Sequence, residues 1–191
     1  MIFLISSLGI GGSERIVSDF ASFIVKTQSV CIVCSSDIVV EPGFEIDPAV
    51  EIIWLVKTMP NWVLRFTLFK RVIKFFLLGC FLFRNHQHKA VAFSADLSLA
   101  ALVFSLLSGQ SVVASERSAP KYRKESWIFD FGRKYLYPRA AGVVVQTERA
   151  RDWFEEKYGI EIEDLTNNST TFLSSLYDDE DQDRIKEMMM S

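Results

Sequence analysis

The chain has 191 residues, of which 49% are hydrophobic and 13% aromatic, and its net charge is −3 at pH 7. This length suits one well-packed domain, and the composition excludes a chain that is disordered throughout. Residues 155–191 hold 11 acidic and 3 basic side chains, so the rest of the chain is mildly basic. A basic domain can meet anionic lipid or phosphate, but no dense Lys/Arg stretch with interleaved aromatics supports a nucleic-acid partner.

The chain begins with an apolar strand, a glycine-rich turn and a helix. The strand is predicted over Ile2–Ser6 and the helix over Ser13–Lys26, capped by its first residue. This arrangement places backbone N–H groups at the carboxyl edge of a parallel sheet, where anions such as phosphate bind. The spacing of Gly9, Gly11 and Gly12 matches neither the dinucleotide pattern nor a P-loop. A tight turn without a ligand is therefore an equal alternative.

Strands and helices then alternate along the chain. The remaining strands are predicted over Val30–Ser35, Val50–Leu55, Ala90–Phe93, Ser111–Ser115 and Gly142–Gln146. The remaining helices are predicted over Asn61–Arg84 (one helix or a broken pair), Leu97–Leu107, Trp127–Arg139 and Thr147–Tyr158, which Gly159 stops. Apolar strands separated by helices predict a parallel sheet covered on both sides. The expected fold class is α/β, a Rossmann-like doubly wound parallel sheet in a single domain, with ligands at the strand carboxyl ends.

The long helix over 61–84 has an unusual distribution of charge. At about 100° per residue, Lys70, Arg71 and Lys74 form one basic arc on an otherwise apolar helix. Such a helix suits the membrane interface, or a position that covers the sheet and shows one strip to water. The covering position is favoured, and the many Phe and Trp residues leave a peripheral membrane contact as the alternative.

The cysteines indicate reduced thiols in a cytoplasmic protein, because their number is odd and their surroundings are apolar. Cys31 and Cys34 have the C-x-x-C spacing of redox motifs, but they lie within a predicted buried strand, so packing is favoured. No second Cys/His pair completes a zinc site, and His86 and His88 are predicted to be exposed. The N-terminus lacks a signal-peptide pattern, and no apolar run is long enough to span a bilayer.

The composition changes again beyond Gly159. Five acidic residues occur within Asp178–Asp183. A segment of this kind buries little apolar surface, so it contributes little to a packed core. We therefore expect a folded domain over residues 1–160 and an acidic, disordered or loosely attached tail over residues 161–191.

Three segments, in this order, resemble the N-terminal domain of family 4 glycosyltransferases, the retaining GT-B enzymes. They are Phe3–Arg15 with a G-G-x-E-R turn, Val112–Pro120 with S-E-R-x-x-P, and Ala140–Glu148, which is similar to A-D-x-V-V-V-Q-T/S-E except that glycine replaces the aspartate. The resemblance covers roughly residues 1–160. It implies half of a GT-B architecture, in which this domain mainly binds the acceptor and a second Rossmann-like domain binds the nucleotide sugar. It also implies transfer with retention, with the nucleotide sugar as co-substrate and usually without a metal or other cofactor.

The resemblance implies that the first glycine-rich turn contacts the substrates. Gly11 and Gly12 would let the loop backbone approach the donor phosphates and sugar. Ser13 and Glu14 would begin the helix that is aimed at the same cleft. These four residues are therefore candidates for substrate binding.

Further candidates follow later strands. The resemblance implies a catalytic pair just past strand five, in which Glu116 binds sugar hydroxyls and Arg117 counters phosphate charge or orients the acceptor. A local ion pair between these two residues is the alternative. Asp96, past strand four, is another substrate-binding candidate at the same edge. Thr147, past strand six, is a binding candidate near the hinge, although a helix N-cap is favoured for it.

The sequence after the last helix departs from the family, because it contains no second glycine-rich loop and no E-x7-E segment in a domain context. We expect the acceptor-binding half of a glycosyltransferase of glycan or lipid-linked saccharide synthesis, located in the cytoplasm or at the inner face of the plasma membrane. Alone it should transfer sugar poorly, as a truncated product, a frameshifted remnant or one part of a split enzyme that needs a donor-binding partner. The alternative is a non-catalytic module that binds a partner or a membrane through residues 61–84, and a small Rossmann-type nucleotide binder is less favoured.

Overall fold

A computed structural model of the chain describes residues 1–59, 67–116, 126–145, 147–160 and 163–164. The strands are β1 (Ile2–Ile5), β2 (Cys31–Cys34), β3 (Glu51–Trp54), β4 (Ala90–Ala92), β5 (Val112–Glu116), β6 (Gly142–Val145) and β7 (Glu163–Asp164). The α-helices are α1 (Gly12–Ile24), α2 (Thr67–Arg84), α3 (Ala95–Ser108), α4 (Trp127–Leu136) and α5 (Glu148–Tyr158). Short 3-10 helices cover Leu55–Thr58 and Tyr137–Arg139.

The strands form one parallel sheet in the order β3-β2-β1-β4-β5-β6-β7. Successive residues of a strand point to opposite faces, so Phe3 and Ile5 lie in one core while Ile2 and Leu4 lie in the other. Helix α1 packs on the first core, and α2, α3 and α5 pack on the second. The predicted class, a single Rossmann-like doubly wound α/β domain, is therefore confirmed.

Helix α1 begins one residue earlier than the sequence predicts. Its N-cap is Gly11, which has an extended backbone (φ −173°, ψ 169°), and no side chain caps this end. The amide of Arg15 donates to the carbonyl of Gly11 at 3.0 Å, which closes the first helical turn. Ser13 thus falls inside that turn, and the predicted cap at Ser13 is wrong.

The predicted ends of α5 are confirmed. The Thr147 hydroxyl accepts a hydrogen bond from the amide of Ala150 at 3.2 Å, and Gly159 ends the helix in the left-handed region (φ 63°). Beyond it, Glu163–Asp164 pair with β6 as a seventh strand that their acidic sequence does not predict. The other residues of the expected tail, 161–162 and 165–191, lie outside the described residues, as do residues 61–66 of the predicted long helix.

Helix α2 covers the sheet as favoured, but the two lysines of its basic arc do not face water. The Nζ atoms of Lys70 and Lys74 lie 2.6 Å from the two carboxylate oxygens of Asp37. Lys74 also donates to the Ser35 carbonyl at 2.9 Å. The Lys70 and Lys74 side chains are only 16% and 19% exposed. The prediction that the basic arc faces water is therefore wrong for these two residues. Within the described ranges, no helix combines the length and the apolar character that a membrane crossing needs.

Candidate functional site

The candidate site is the carboxyl edge of the sheet around β1 and β4, which are neighbours although they are distant in sequence. The strand order reverses here, and α1 and α3 leave the edge on opposite faces, which opens a crevice. Sequence-predicted residues follow β1, β4, β5 and β6. Since neighbouring strands lie about 4.8 Å apart, β1 and β6, which precede Gly11 and Thr147, are separated by about 15 Å across the sheet. The candidates therefore form a row rather than one cluster.

The turn after β1 is supported by the loop that follows β2. The amide of Ser36 donates to the Ser6 carbonyl at 2.6 Å, and the amide of Gly43 donates to the Leu8 carbonyl at 2.8 Å. A Cβ atom at position 43 would lie 2.6 Å from the carbonyl oxygen of Gly9, so only glycine allows this approach. Gly43 was not among the residues predicted for the site, and a Pro-Gly pair at positions 42 and 43 is the local signal that could have found it.

At the start of α1, a carboxylate occupies the place that was expected to hold phosphate. A Cβ atom on Gly11 would lie 2.4 Å from Oε2 of Glu14, which shows that the Glu14 side chain folds back over this glycine. A carboxylate is favourable there because the helix N-terminus is positive. Gly12 faces open space. A donor phosphate could therefore reach Gly12 directly, but it reaches Gly11 only if Glu14 rotates away.

A cavity of about 470 Å³ opens at the same edge between α2 and α3. Its wall comprises Ser35, Leu55, Arg71, Lys74, Phe75, Leu78, Asp96, Leu97, Ala100 and Phe129. Three of these side chains are ionisable and most of the others are apolar. The cavity therefore suits a ligand that has an anionic group next to a hydrocarbon part.

Two cations of the cavity differ in how far their charge is neutralised. Lys74 pairs with Asp37, and hydrogen bonds from Lys70 and Lys74 lower the pKa of that carboxyl group. Arg71 is exposed and forms no ion pair with any residue in the described ranges. Asp96, the predicted candidate, shares the cavity with Arg71. The helical pattern placed Arg71 on the basic arc but did not indicate that it belongs to the site.

Glu116 lies at the end of β5 in a buried polar cluster. Its Oε1 accepts a hydrogen bond from Nε of Arg133 at 2.8 Å and another from the Tyr137 hydroxyl. All three side chains are buried, and the Arg133 guanidinium lies 5.7 Å from the ring centre of Phe154. Burial, followed by the Glu116 carboxylate, raises the pKa of Tyr137, so its hydroxyl stays protonated and donates. This cluster attaches α4 to the sheet.

The buried cluster contains Glu116, one member of the predicted catalytic pair Glu116 and Arg117. Arg117 lies outside the described residues, and the ion pair that Glu116 forms within them is with Arg133. The Glu116 carboxylate is buried, and Arg133 and Tyr137 donate hydrogen bonds to it. The hydroxyl of Thr147 caps α5, as favoured. No group of side chains suitable for a metal ion forms in the part of the chain that the structure describes.

The C-x-x-C pair is a packing feature. Cys34 belongs to the core on one face of the sheet, and Cys31 packs against the core on the other. Burial raises the pKa of each thiol to about 12. Side chains on opposite faces of a sheet cannot share a disulfide or a metal ion. The exposed positions predicted for His86 and His88 are confirmed.

These thiols should differ strongly in reactivity. At pH 8, we expect iodoacetamide to modify exposed Cys80 at least about 100-fold faster than Cys31 or Cys34, because the thiolate is the nucleophile. Mass spectrometry of the native protein measures the rates, and the urea-unfolded protein, in which all three thiols react, is the control. Rapid labelling of Cys34 in the native state would contradict the buried position.

Comparisons with known proteins support the architecture. Neither the protein-family models nor the curated proteins gave a match to the sequence. Among solved structures, the apo form of the lipopolysaccharide outer core galactosyltransferase WaaB is 10% identical, with a TM-score of 0.56, over 84% of this chain and 42% of its own. Anabaena HepE (Alr3699) in complex with UDP-glucose is 12% identical, with a TM-score of 0.58, over 98% of this chain and 49% of its own. TcCGT1 in complex with UDP is 11% identical, with a TM-score of 0.53, over 90% of this chain and 54% of its own.

At these identities the likeness shows the fold alone. The chain spans about half the length of each of these structures. The common fold places the crevice between β1 and β4 at a position where α/β domains of this type bind ligands. The protein thus has the Rossmann-like domain fold of GT-B glycosyltransferases.

Proposed function

We propose that the chain is the acceptor-binding half of a retaining, nucleotide-sugar-dependent glycosyltransferase, and that it needs a donor-binding domain or partner chain for turnover. Its product would be a glycan or a lipid-linked saccharide, made at the cytoplasmic face of a membrane. The cavity between α2 and α3 carries this proposal, because it joins an apolar wall at the carboxyl edge to Arg71, which has no ion-pair partner among the described residues. Lipid-linked phosphates have both of these chemical parts.

The roles of individual residues follow from their places at the edge. Arg71 would bind the anionic group of the acceptor, and Asp96 would accept hydrogen bonds from its hydroxyl groups. Gly12 would face the donor phosphates, with Ser13 and Glu14 beside them. Sugar transfer releases a nucleoside diphosphate, so negative charge develops on the donor side. Arg117 stays a candidate to stabilise that charge, and Glu116 becomes a positioning residue.

Calorimetry with two soluble probes tests the proposal. Geranyl diphosphate stands for a lipid-linked acceptor, and UDP-glucose stands for the donor. We expect geranyl diphosphate to bind and UDP-glucose to bind weakly, because the donor contacts would lie on another domain. Tight binding of UDP-glucose without binding of geranyl diphosphate would overturn the proposal in favour of a small nucleotide-binding domain.

Arg71→Ala should weaken the binding of geranyl diphosphate by about 10-fold, because a charge-assisted hydrogen bond to phosphate is lost. Arg84→Ala is the matched control, since Arg84 is exposed on the same helix but about 20 Å away along its axis. The control should leave the calorimetric Kd unchanged. An equal loss in both variants would show that the probe responds to net charge rather than to the cavity.

A non-catalytic module that binds a partner or a membrane is the second candidate function. The specific observation in its favour is that α2 turns several large apolar side chains towards solvent, including Phe76. This function requires neither a donor domain nor sugar transfer. Loss of the apolar side chains would abolish it while the cavity stays intact.

A further inference from the structure

Asp37 lies where the loop after β2 meets helix α2. Its two carboxylate oxygens each lie 2.6 Å from a lysine Nζ atom, one of Lys70 and one of Lys74. Hydrogen bonds from both lysines lower the pKa of this carboxyl group, so it is ionised at neutral pH. Of these two described lysines, only Lys74 lines the cavity between α2 and α3. The charge of one cation in the cavity wall is therefore already balanced by a carboxylate of the protein itself.

The loop holds the Asp37 carboxylate in place. The amide of the preceding residue, Ser36, donates to the Ser6 carbonyl at 2.6 Å. The Ser36 hydroxyl also accepts a hydrogen bond from the amide of Ile38 at 3.0 Å, so both neighbours of Asp37 are fixed. An aspartate side chain is short, whereas the ammonium group of Lys74 ends a flexible four-carbon stem. If the pair separates, the lysine is the partner that moves.

A ligand held by Arg71 would lie within reach of Lys74. Both side chains line the cavity, and they are three residues apart on α2, so they are neighbours on the helix surface. When Lys74 turns from Asp37 to the ligand, Asp37 keeps its pair with Lys70. No carboxylate is then left without a cation, so the exchange avoids the large cost of an uncompensated charge.

We infer that Asp37 competes with the anionic group of a ligand for Lys74 and thereby limits the affinity of the cavity. The inference rests on the proposed function and specifies how its site is regulated. To engage both cations, a small inorganic anion must break the pair between Lys74 and Asp37 with its charge alone. A ligand that has a hydrocarbon part also buries apolar surface against Phe75 and Leu78 of the same cavity. Asp37 thus keeps inorganic phosphates from occupying the cavity, while the lipid-like ligand still binds.

Calorimetry with the full chain and two probes tests the inference. Inorganic diphosphate carries the charge alone, and geranyl diphosphate adds the hydrocarbon part. The test variant is Asp37→Asn, which removes the competing charge and keeps the shape of the side chain. The matched control is Asp19→Asn, which changes the net charge equally but breaks an exposed pair with Arg15 on α1, on the opposite face of the sheet. Thermal unfolding checks that the variants fold, and Asp37→Ser replaces an asparagine variant that does not.

Asp37→Asn should bind both probes about three- to tenfold more tightly than the wild type, because Lys74 no longer has to leave an ion pair. A purely structural role for Asp37 predicts the opposite sign, since the loss of two ion pairs would loosen the cavity wall. Asp19→Asn should change either Kd by less than about twofold. In a Lys74→Met background, Asp37→Asn should also have an effect below about twofold, because the contested cation is gone.

Three results would overturn the inference. One is unchanged or weaker binding of inorganic diphosphate by Asp37→Asn, which includes a failure to bind at all. Another is an equal gain in Asp19→Asn, and the third is an equal gain in the Lys74→Met background, since both would reflect only the general field of the protein. The proposed function fails separately, if geranyl diphosphate binds no more tightly than inorganic diphosphate. The inorganic probe still tests Asp37 in that case, so the two failures are distinguishable.

Discussion

Arg133→Ala should lower the free energy of unfolding by about 3–5 kcal/mol, as measured by urea denaturation. The substitution leaves the Glu116 carboxylate buried without its ion-pair partner, which lies 2.8 Å away in the native protein. The Tyr137 hydroxyl remains as a single donor to that carboxylate. The guanidinium also fills space beside the Phe154 ring, so its removal creates a cavity next to the second core.

Two further variants separate the ion pair from general effects of losing an arginine. Arg15→Ala removes an exposed pair with Asp19, in which the atoms are 3.8 Å apart, and should cost less than about 0.5 kcal/mol. The double variant Glu116→Gln with Arg133→Met removes both charges and keeps an acceptor for Tyr137, so it should be more stable than Arg133→Ala alone. If Arg133→Ala cost no more than Arg15→Ala, the buried pair would not hold α4 to the sheet.

This result bears directly on the proposed function. A catalytic residue that contacts substrate can usually be replaced without unfolding the protein. A large stability cost would therefore support a positioning role for Glu116. Mutants of Glu116 should thus be compared by unfolding before they are compared by activity.

Six of the seven strands were predictable because each contains a short run of apolar residues, whereas the acidic β7 was not predicted. β1 shows this clearly, since all its residues from Ile2 to Ile5 are buried. The ends of α5 were also predictable, because the Thr147 cap and the Gly159 stop depend only on neighbouring residues. Predictions of helix ends that depend only on residues within one helical turn were therefore confirmed for α5. The exception is the start of α1, where the extended backbone of Gly11 took the place of a side-chain cap at Ser13.

The candidate site could be predicted only in part, because its decisive contacts join distant residues. The inward orientation of Lys70 and Lys74 depends on Asp37, which a different loop supplies. Glu116 was found at the right edge, but its partner Arg133 is 17 residues away on α4. The helical pattern fixed which residues share a face of α2. It left open which face would meet the sheet.

Gly79→Val should destabilise the protein by about 3 kcal/mol, the upper part of the range for overpacked cores. Glycine in a helix is usually a weakness, and replacing it with alanine typically gains about 1 kcal/mol. Here a Cβ atom would lie 2.2 Å from two atoms of the Phe104 ring. That ring is also held against Phe75, with 4.7 Å between the ring centres. The overlap therefore outweighs the helical preference, and Gly79→Ala should also destabilise, by about 1–2 kcal/mol.

The sign of the Gly79→Ala effect identifies its cause. In a Phe104→Ala background the ring is absent, so the same substitution should become stabilising by up to about 1 kcal/mol. Gly12→Ala is the control at a position with open space, and urea denaturation should show a change near zero. If Gly79→Ala stabilised the wild type, α3 could move away from α2 without cost. The close packing of α2 against α3 depends on the opposite behaviour, because the two helices adjoin while the Phe104 ring lies against Gly79.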